Sequence, residues 1–575
     1  MTMPLRRRAG WVLSMLGVCA LAGQPLASAA PIFGPPLEVE MPALIPGQPT
    51  GWLWASCEGV EVLALAPEDA TRTYVQNIAQ QRATLDAILP RDLRITWDRP
   101  ILVVLYGVDN PRPMPAPFVG LLSKIYTDRE RARALENREG KPLEVRVEPR
   151  IMTGAWVPDA DTVCIFNVLQ QKVKAAELSN LPAPIYISYL LQSRTPPLPA
   201  WFMEGLSVFF GGATVTGAGL DAAPFTWVSP AQTQLMVKDK SMPAEFLPMA
   251  EVFAYINKGT QPTDERRRLL VRSQGALLVR WAIEGRAPGG PETLWKFTRG
   301  LRPGVDHEAW FAECFGMSTT AAVEALRAYL PGAIRKPMRV RLARDTRPPA
   351  IEIRTATPSE VARIRGEWER LSGRLVATTQ PELRYYYEET ARRTLATGPD
   401  DATADPELLA SRGLMAVELG DDAAALPLLE AACATPKPRA RAVVELARIR
   451  LAQAKAALEP EAKLDASAVA AIVDPLRTVL DANPPMARAF QVLAETFAAG
   501  SEAPAAADLA LLTRGAQTIP GDASMIIAIA RLMVDLGLRD EARGVIELGL
   551  AHVTDDASRR RLFAIRSAVR APAPK

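Results

Sequence analysis

The sequence predicts an α+β chain, with a mixed domain around a small sheet in the first half and an all-helical stretch after about residue 358. Short apolar runs at Val60 to Leu65 and Ile101 to Tyr106 flank the stretch Pro67 to Leu89, where Tyr74, Ile78, Leu85 and Ile88 recur at helical intervals. From Pro358 onward the chain is rich in alanine and leucine and keeps a helical period. Between the two parts, Pro337 to Ile353 alternates apolar and charged residues among prolines, which predicts a linker over 332–357 with a short strand pair.

Arg6, Arg7 and Arg8 precede an apolar run from Trp11 to Ala22 and then Ala27-Ser28-Ala29, the three-part pattern of a secretory signal peptide over 1–29. The expected consequence is export to the periplasm or the medium. Cys19 follows Leu16-Gly17-Val18, a poor lipidation signal because Val18 is bulky where a small residue is needed. Trp11 to Ala22 is about half of a membrane span and no later run reaches that length, so the mature chain is expected to lack a transmembrane segment. Residues 30–51 are proline-rich and aperiodic, an extended lead-in.

The first domain is expected over 52–331. After the strand, helix, strand opening comes a proline-rich turn at Asp109 to Pro117, then a charged stretch at Asp128 to Lys141 that reads as a solvated surface face. Strands are expected at Leu143 to Val147 and Thr162 to Phe166. Asp159-Ala160-Asp161 between them fits a turn, with cation binding as the alternative. Helices are expected at Met249 to Ile256, Glu265 to Glu284, Pro291 to Leu301, His307 to Gly316 and Thr319 to Tyr329.

The formal charge is +3, and the basic residues are scattered, so nucleic acid is not an expected partner. Cys57, Cys164, Cys314 and Cys433 contain no Cys-x-x-Cys pair, which argues against a structural zinc site and leaves their pairing open.

Pro184 to Leu191 is followed, after a proline-containing turn, by Leu198-Pro199-Ala200-Trp201-Phe202-Met203-Glu204-Gly205-Leu206. This resembles the peptidase MA-like, or gluzincin, families, whose motif is His-Glu-x-x-His on one helix and Trp-x-x-Glu-Gly-Leu on the next. The resemblance implies a small mixed sheet ahead of the motif and a zinc site. Here Pro184 and Ser188 stand where the two histidines belong, and Ile185 where the general-base glutamate belongs. Zinc of this class needs two imidazoles one turn apart, a third ligand and a carboxylate base. Only Glu204, at the third-ligand position, remains, and the chain's two histidines, His307 and His552, are far apart in sequence. The motif therefore reads as degenerate, with no cofactor. A buried Glu204 is expected to take a donor from Ser188, from Tyr186 or Tyr189, or from an arginine such as Arg194.

Leu409, Gly413, Gly420, Ala425, Leu429, Ala432 and Pro436 stand at the spacings of the tetratricopeptide repeat. Ile526, Ala530, Gly537, Ala542, Ile546 and Gly549 form a second match. Phe490, Ala494, Phe497 and Pro520 fit a looser copy, and Ala440 to Leu480 another, its turn lengthened by Ala457 to Ala466. The resemblance implies three to five helical pairs over 358–570, stacked into a solenoid with a groove for a protein or peptide. The functional expectation is an exported, non-catalytic pseudopeptidase with a binding scaffold. The alternatives are a metal-dependent hydrolase with a non-standard ligand set and a structural component of the envelope.

Overall fold

The computed structural model describes residues 51–90, 98–107, 154–169, 199–211, 213–216, 219–239, 242–255, 265–301, 305–341, 350–379, 384–399, 405–459, 461–553 and 555–570. The segments holding Leu143 to Val147, Asp128 to Lys141, Pro184, Ile185 and Ser188 lie outside these residues, as does the expected signal peptide.

Strands β1 (Leu53–Cys57) and β2 (Val60–Leu65) form a hairpin, and helix α1 (Glu68–Ile88) leads to β3 (Ile101–Tyr106). A second hairpin joins β4 (Gly154–Pro158) and β5 (Val163–Val168). β2, β3 and β5 run parallel; the six-stranded sheet has the order β4-β5-β3-β2-β1-β9, with β9 at Glu352–Thr355. The apolar runs are strands because both faces of the sheet are covered. Val62, Val103 and Ile165 face one way, while Leu63, Leu102, Val104 and Phe166 face the other.

A separate unit holds α2 (Ala200–Gly211), α3 (Pro230–Lys238), α4 (Met249–Phe253), α5 (Glu265–Ile283), α6 (Gly290–Gly300), α7 (His307–Phe315) and α8 (Thr319–Ala333). Its centre is aromatic: Trp201, Phe253, Phe297, Phe311 and Phe315 stack edge and face around one another. Its helices start where capping predicts, with Ser229, Asp306 and Ser318 accepting from first-turn amides. Short strands β6 (Ala213–Thr216), β7 (Gly219–Ala222) and β8 (Met338–Arg341) form a three-stranded sheet.

The remaining helices are α9 (Pro358–Thr379), α10 (Arg384–Ala396), α11 (Pro406–Glu418), α12 (Asp422–Cys433), α13 (Ala440–Ala456), α14 (Ala466–Arg477), α15 (Ala487–Ala499), α16 (Ala506–Thr518), α17 (Ala523–Asp535), α18 (Arg539–His552) and α19 (Asp556–Arg570). They pack as successive pairs closed by α19, and α9, α11, α13, α15 and α17 each touch the next odd-numbered helix. The result is a region of stacked helical pairs.

β1 to β5 belong to one unit with the helices after 357, and the helices of 200–333 belong to the other. The cause is burial: Val361, Ile364 and Leu371 of α9 cover one face of the sheet, and Trp368 stacks on Phe166 with ring centroids 5.0 Å apart. The linker strands do not pair with each other. β8 joins β7, whereas β9 adds to β1.

Candidate functional site

Glu204 sits on α2 and is buried. Its described partner is one the sequence did not suggest: Arg272 of α5, whose Nε lies 3.4 Å from the Glu204 carboxylate. The approach is possible because α2 and α5 cross at two glycines, Gly205 and Gly275. A Cβ at Gly205 would come within 2.6 Å of the Gly275 carbonyl carbon. A guanidinium thus supplies positive charge beside this carboxylate. Among the described residues no cluster of three or more His, Cys, Asp or Glu is placed to hold a metal. His307 begins α7 after the Asp306 cap and meets Phe253 edge-on, while His552 ends α18 with Nδ1 2.8 Å from the Leu548 carbonyl. The four cysteines are free thiols, and burial pushes those of Cys57 and Cys433 up to about 11.

The repeat residues fall in two helical cores and in the turns between helices. Leu409, Ala425, Leu429 and Ala432 share one core, and Gly413 is there because a Cβ would meet the Leu429 side chain at 2.7 Å. Ala530 and Ala542 are fully buried in the following core. Gly420 and Gly537 end their helices at φ +81° and +77°, the left-handed turn that favours glycine. Pro436 lies exposed in the turn after α12. The lengthened turn between α13 and α14 is held by backbone bonds from Leu464 to Ala499 and from Ser501 to Leu464, each 2.8 Å.

Counting from the residue that caps each odd-numbered helix exposes an equivalence hidden in the sequence. The caps are Thr357, Asp405, Arg439, Met486, Asp522 and Asp555. Positions two, six, nine and thirteen after the cap fall on one face of a 3.6-residue helix. On α11 two of these are Glu407 and Glu418; on α17 two are Arg531 and Asp535. In the first helices this face is covered by the loop edge of the sheet. Arg363, at position six of α9, bonds Glu61 at 2.6 Å, and Arg370, at position thirteen, bonds Asp159 at 2.5 Å. Glu407, at position two of α11, pairs with Arg99, and Arg441, at position two of α13, pairs with Asp159.

Asp159 and Asp161 are the hub of this contact. Asp159 takes guanidinium groups from Arg370, Arg374, Arg439 and Arg441, and Asp161 takes Arg439 at 3.1 Å together with the Arg441 backbone amide. Glu367 and Glu418 complete the network, binding Arg439 and Arg441 at 2.7 Å each. The turn itself is present, with Asp159 N donating to the Thr162 carbonyl at 2.8 Å. Its carboxylates serve arginines from helices more than 200 residues away in sequence, a role that local spacing does not signal.

Burial alone would raise the Asp159 carboxyl, but Arg441, Arg370, Arg374 and Arg439 outweigh it and hold it well below the usual carboxylate range. Glu367 behaves likewise, with burial opposed mainly by Arg370 and Arg439. Glu369 goes the other way, raised by burial that Arg365 only partly offsets. Because the two depressed groups bind protons more readily when unfolded, stability rises with pH through the ordinary carboxylate range near 4. It is fully present above that range and is lost as pH falls through the folded values. Acid titration followed by circular dichroism should therefore show the repeat unit intact at pH 5 and unfolding well below pH 4. A loss of structure already between pH 5 and 6 would contradict the assignment.

No family model matches the chain, and no curated protein matches it. Among solved structures, the chain is similar to TTC0263, a thermophilic TPR protein of Thermus thermophilus, with 20% identity over 34% of this chain and 98% of that one and a TM-score of 0.26. It is also similar to the TPR domain of P58(IPK), with 11% identity over 59% of this chain and 91% of that one and a TM-score of 0.14.

Proposed function

We propose that this protein is an exported, non-catalytic scaffold. In this reading a degenerate peptidase MA-like unit accompanies helical repeats that bind a protein or peptide. The observation that carries the binding role is the alignment of odd-numbered helices, each presenting equivalent positions to one side. Stacked repeats of this kind create extended surfaces for a partner chain. No described helix is long and apolar enough to cross a membrane. Export is supported by the basic, apolar and small-residue succession in 1–29.

The non-catalytic reading is supported by the residues at the motif positions. Pro184 and Ser188 offer no imidazole, Ile185 offers no base, and Glu204 is occupied by Arg272. Protein purified without added zinc is expected to carry no stoichiometric metal and to show no chelator-sensitive peptide hydrolysis. Glu204→Gln should leave that absence unchanged while costing about 1–3 kcal/mol of stability, because it weakens a charge-assisted contact in a buried setting. A bound equivalent of zinc that Glu204→Gln removes would overturn the reading and favour the hydrolase.

A further inference from the structure

Besides the stripe that lies on the sheet, helix α9 carries a second one that meets α10. Ala362, Gly366, Glu369 and Gly373 recur at the spacing of one helical face. A Cβ at Gly366 would strike the Leu395 side chain, and one at Gly373 would lie 3.4 Å from the Tyr387 Cβ. Just past the end of α10, a Cβ at Gly398 would lie 3.1 Å from the Ala362 Cβ. A carboxyl thus stands in the middle of a seam otherwise lined on α9 by side chains of one carbon or none. Glu369 is 9% exposed. Its Oε1 accepts from Arg365 Nε at 3.0 Å, whereas its Oε2 is buried and receives no hydrogen bond among the described residues. Tyr106 of β3 and Tyr386 of α10 face the Arg365 and Glu369 pair. The Thr394 hydroxyl of α10 stands beside the carboxyl without reaching hydrogen-bond geometry at Oε2. Glu388, at the Gly373 end, is paired with Arg384, and α11 contributes the apolar Leu408 and Met415.

We propose that Glu369 is a proton-operated latch on α10: protonated, it closes the seam, and ionised, it lets the N-terminal end of α10 swing off α9. An ionised carboxylate only accepts, so a buried oxygen without a donor penalises the closed seam. A protonated carboxyl carries its own donor, which the Thr394 Oγ can accept. Burial raises the Glu369 carboxyl, and Arg365 and Thr394 offset this only in part. Burial also holds the Tyr106 and Tyr386 phenols up to about 12, so neither titrates alongside it. What holds each helix decides which part moves. α9 is pinned to the sheet through Val361, Ile364 and Leu371 and through Arg363 to Glu61 at 2.6 Å. The last turn of α10 is held too, since Arg412 of α11 donates to the carbonyls of Leu395 and Gly398 at 3.0 and 2.9 Å. The first turns of α10 carry the exposed Tyr385 and ion pairs within the helix, Arg384 with Glu388 and Arg393 with Glu389. The latch does not depend on what the repeats bind.

Because the closed-state carboxyl is raised, its contribution is fully present below the ordinary carboxylate range near 4 and is lost as pH rises through the closed-state value. Asp159 and Glu367 have the opposite sign, which separates the latch from the network. The test is amide hydrogen exchange of the full chain from about pH 4.5 to 8, corrected for intrinsic rates and read in the first turns of α10 against α18. In α10 the opening constant should rise with pH, by no more than about tenfold per pH unit, the limit for one proton, and then level off. α18 should show no such rise. Glu369→Gln, which keeps a donor at every pH, should abolish the rise and leave α10 closed throughout. Arg365→Gln should move the rise to higher pH, because Arg365 favours the ionised form, and a glutamate that merely packed would not respond. A rise that persists in Glu369→Gln would place the titrating group elsewhere and overturn the latch. So would wild-type α10 equally protected across the range, since the ionised carboxylate would then be satisfied in the closed seam. An equal rise in α18, or an unmoved midpoint in Arg365→Gln, would overturn it as well. If Glu369→Gln unfolds both helices at every pH, the Arg365→Gln midpoint alone decides.

Discussion

Replacing Asp159 with alanine should cost the unit of sheet and repeats about 3–5 kcal/mol, the range for removing one partner of a buried ion pair. Arg370, Arg439 and Arg441 reach this carboxylate from helices α9 and α13, and Asp159 has no exposed side-chain surface. Truncation leaves those guanidinium groups in a region from which water is excluded, with only Asp161, Glu367 and Glu418 to share among them. Asp159→Asn should cost less, because an amide oxygen still accepts a hydrogen bond while the charge is lost. By contrast, removing Glu388, which pairs with the exposed Arg384 one turn away, should change stability by less than about 0.5 kcal/mol. Since the chain folds as two units, a single unfolding midpoint is a poor measure. Amide hydrogen exchange localises the effect: protection should fall together in β5 and along α13 of Asp159→Ala. Unchanged exchange at both would show that the network does not hold sheet and repeats together.

Local patterns were legible in the sequence, and long-range pairing was not. Helix α1, the buried strands β2 and β3, and the helices from Met249 to Tyr329 follow from periodicity and caps, which act within a few residues. The turns at Gly420 and Gly537 were readable for the same reason: a left-handed residue after a helix favours glycine wherever it occurs. β4 was missed because Gly154 to Pro158 has neither alternation nor an unbroken apolar run; it is a strand because β5 pairs with it. The attachment of the sheet to α9 was missed because no local pattern links Phe166 to Trp368 or Asp159 to Arg441. In the motif region, Trp201, Glu204 and Gly205 announced a packed helix, but the partner Arg272 lies on a helix that the motif does not include. The equivalence of Glu407, Arg441 and Arg488 is visible only once the caps fix where counting begins.

The contact between α2 and α5 separates two effects of opposite sign, and a glycine series should resolve them. In a helix interior, alanine is favoured over glycine by about 1 kcal/mol, so propensity alone predicts that Gly205→Ala and Gly275→Ala stabilise the protein. The packing argues the reverse. A Cβ at Gly205 would lie 2.6 Å from the Gly275 carbonyl carbon and 2.9 Å from the Ala276 nitrogen, and one at Gly275 would lie 2.8 Å from the Trp201 carbonyl oxygen. These neighbours are backbone atoms, which cannot rotate aside as a side chain can, so the helices must separate. Separation would loosen Trp201 and Leu206, both fully buried, and draw Glu204 away from Arg272. Overpacking of this kind costs about 1–3 kcal/mol, and here it should outweigh the propensity gain. Gly544 provides the comparison: it lies within α18, and a Cβ there would meet nothing within 4 Å. Gly544→Ala should therefore stabilise the repeat unit by about 0.5–1 kcal/mol. Hydrogen exchange in α2, α5 and α18 reads all three variants on one scale. Protection should fall in α2 and α5 for the first two and rise in α18 for the third. If Gly205→Ala raised protection as Gly544→Ala does, the close crossing that brings Arg272 to Glu204 would not exist.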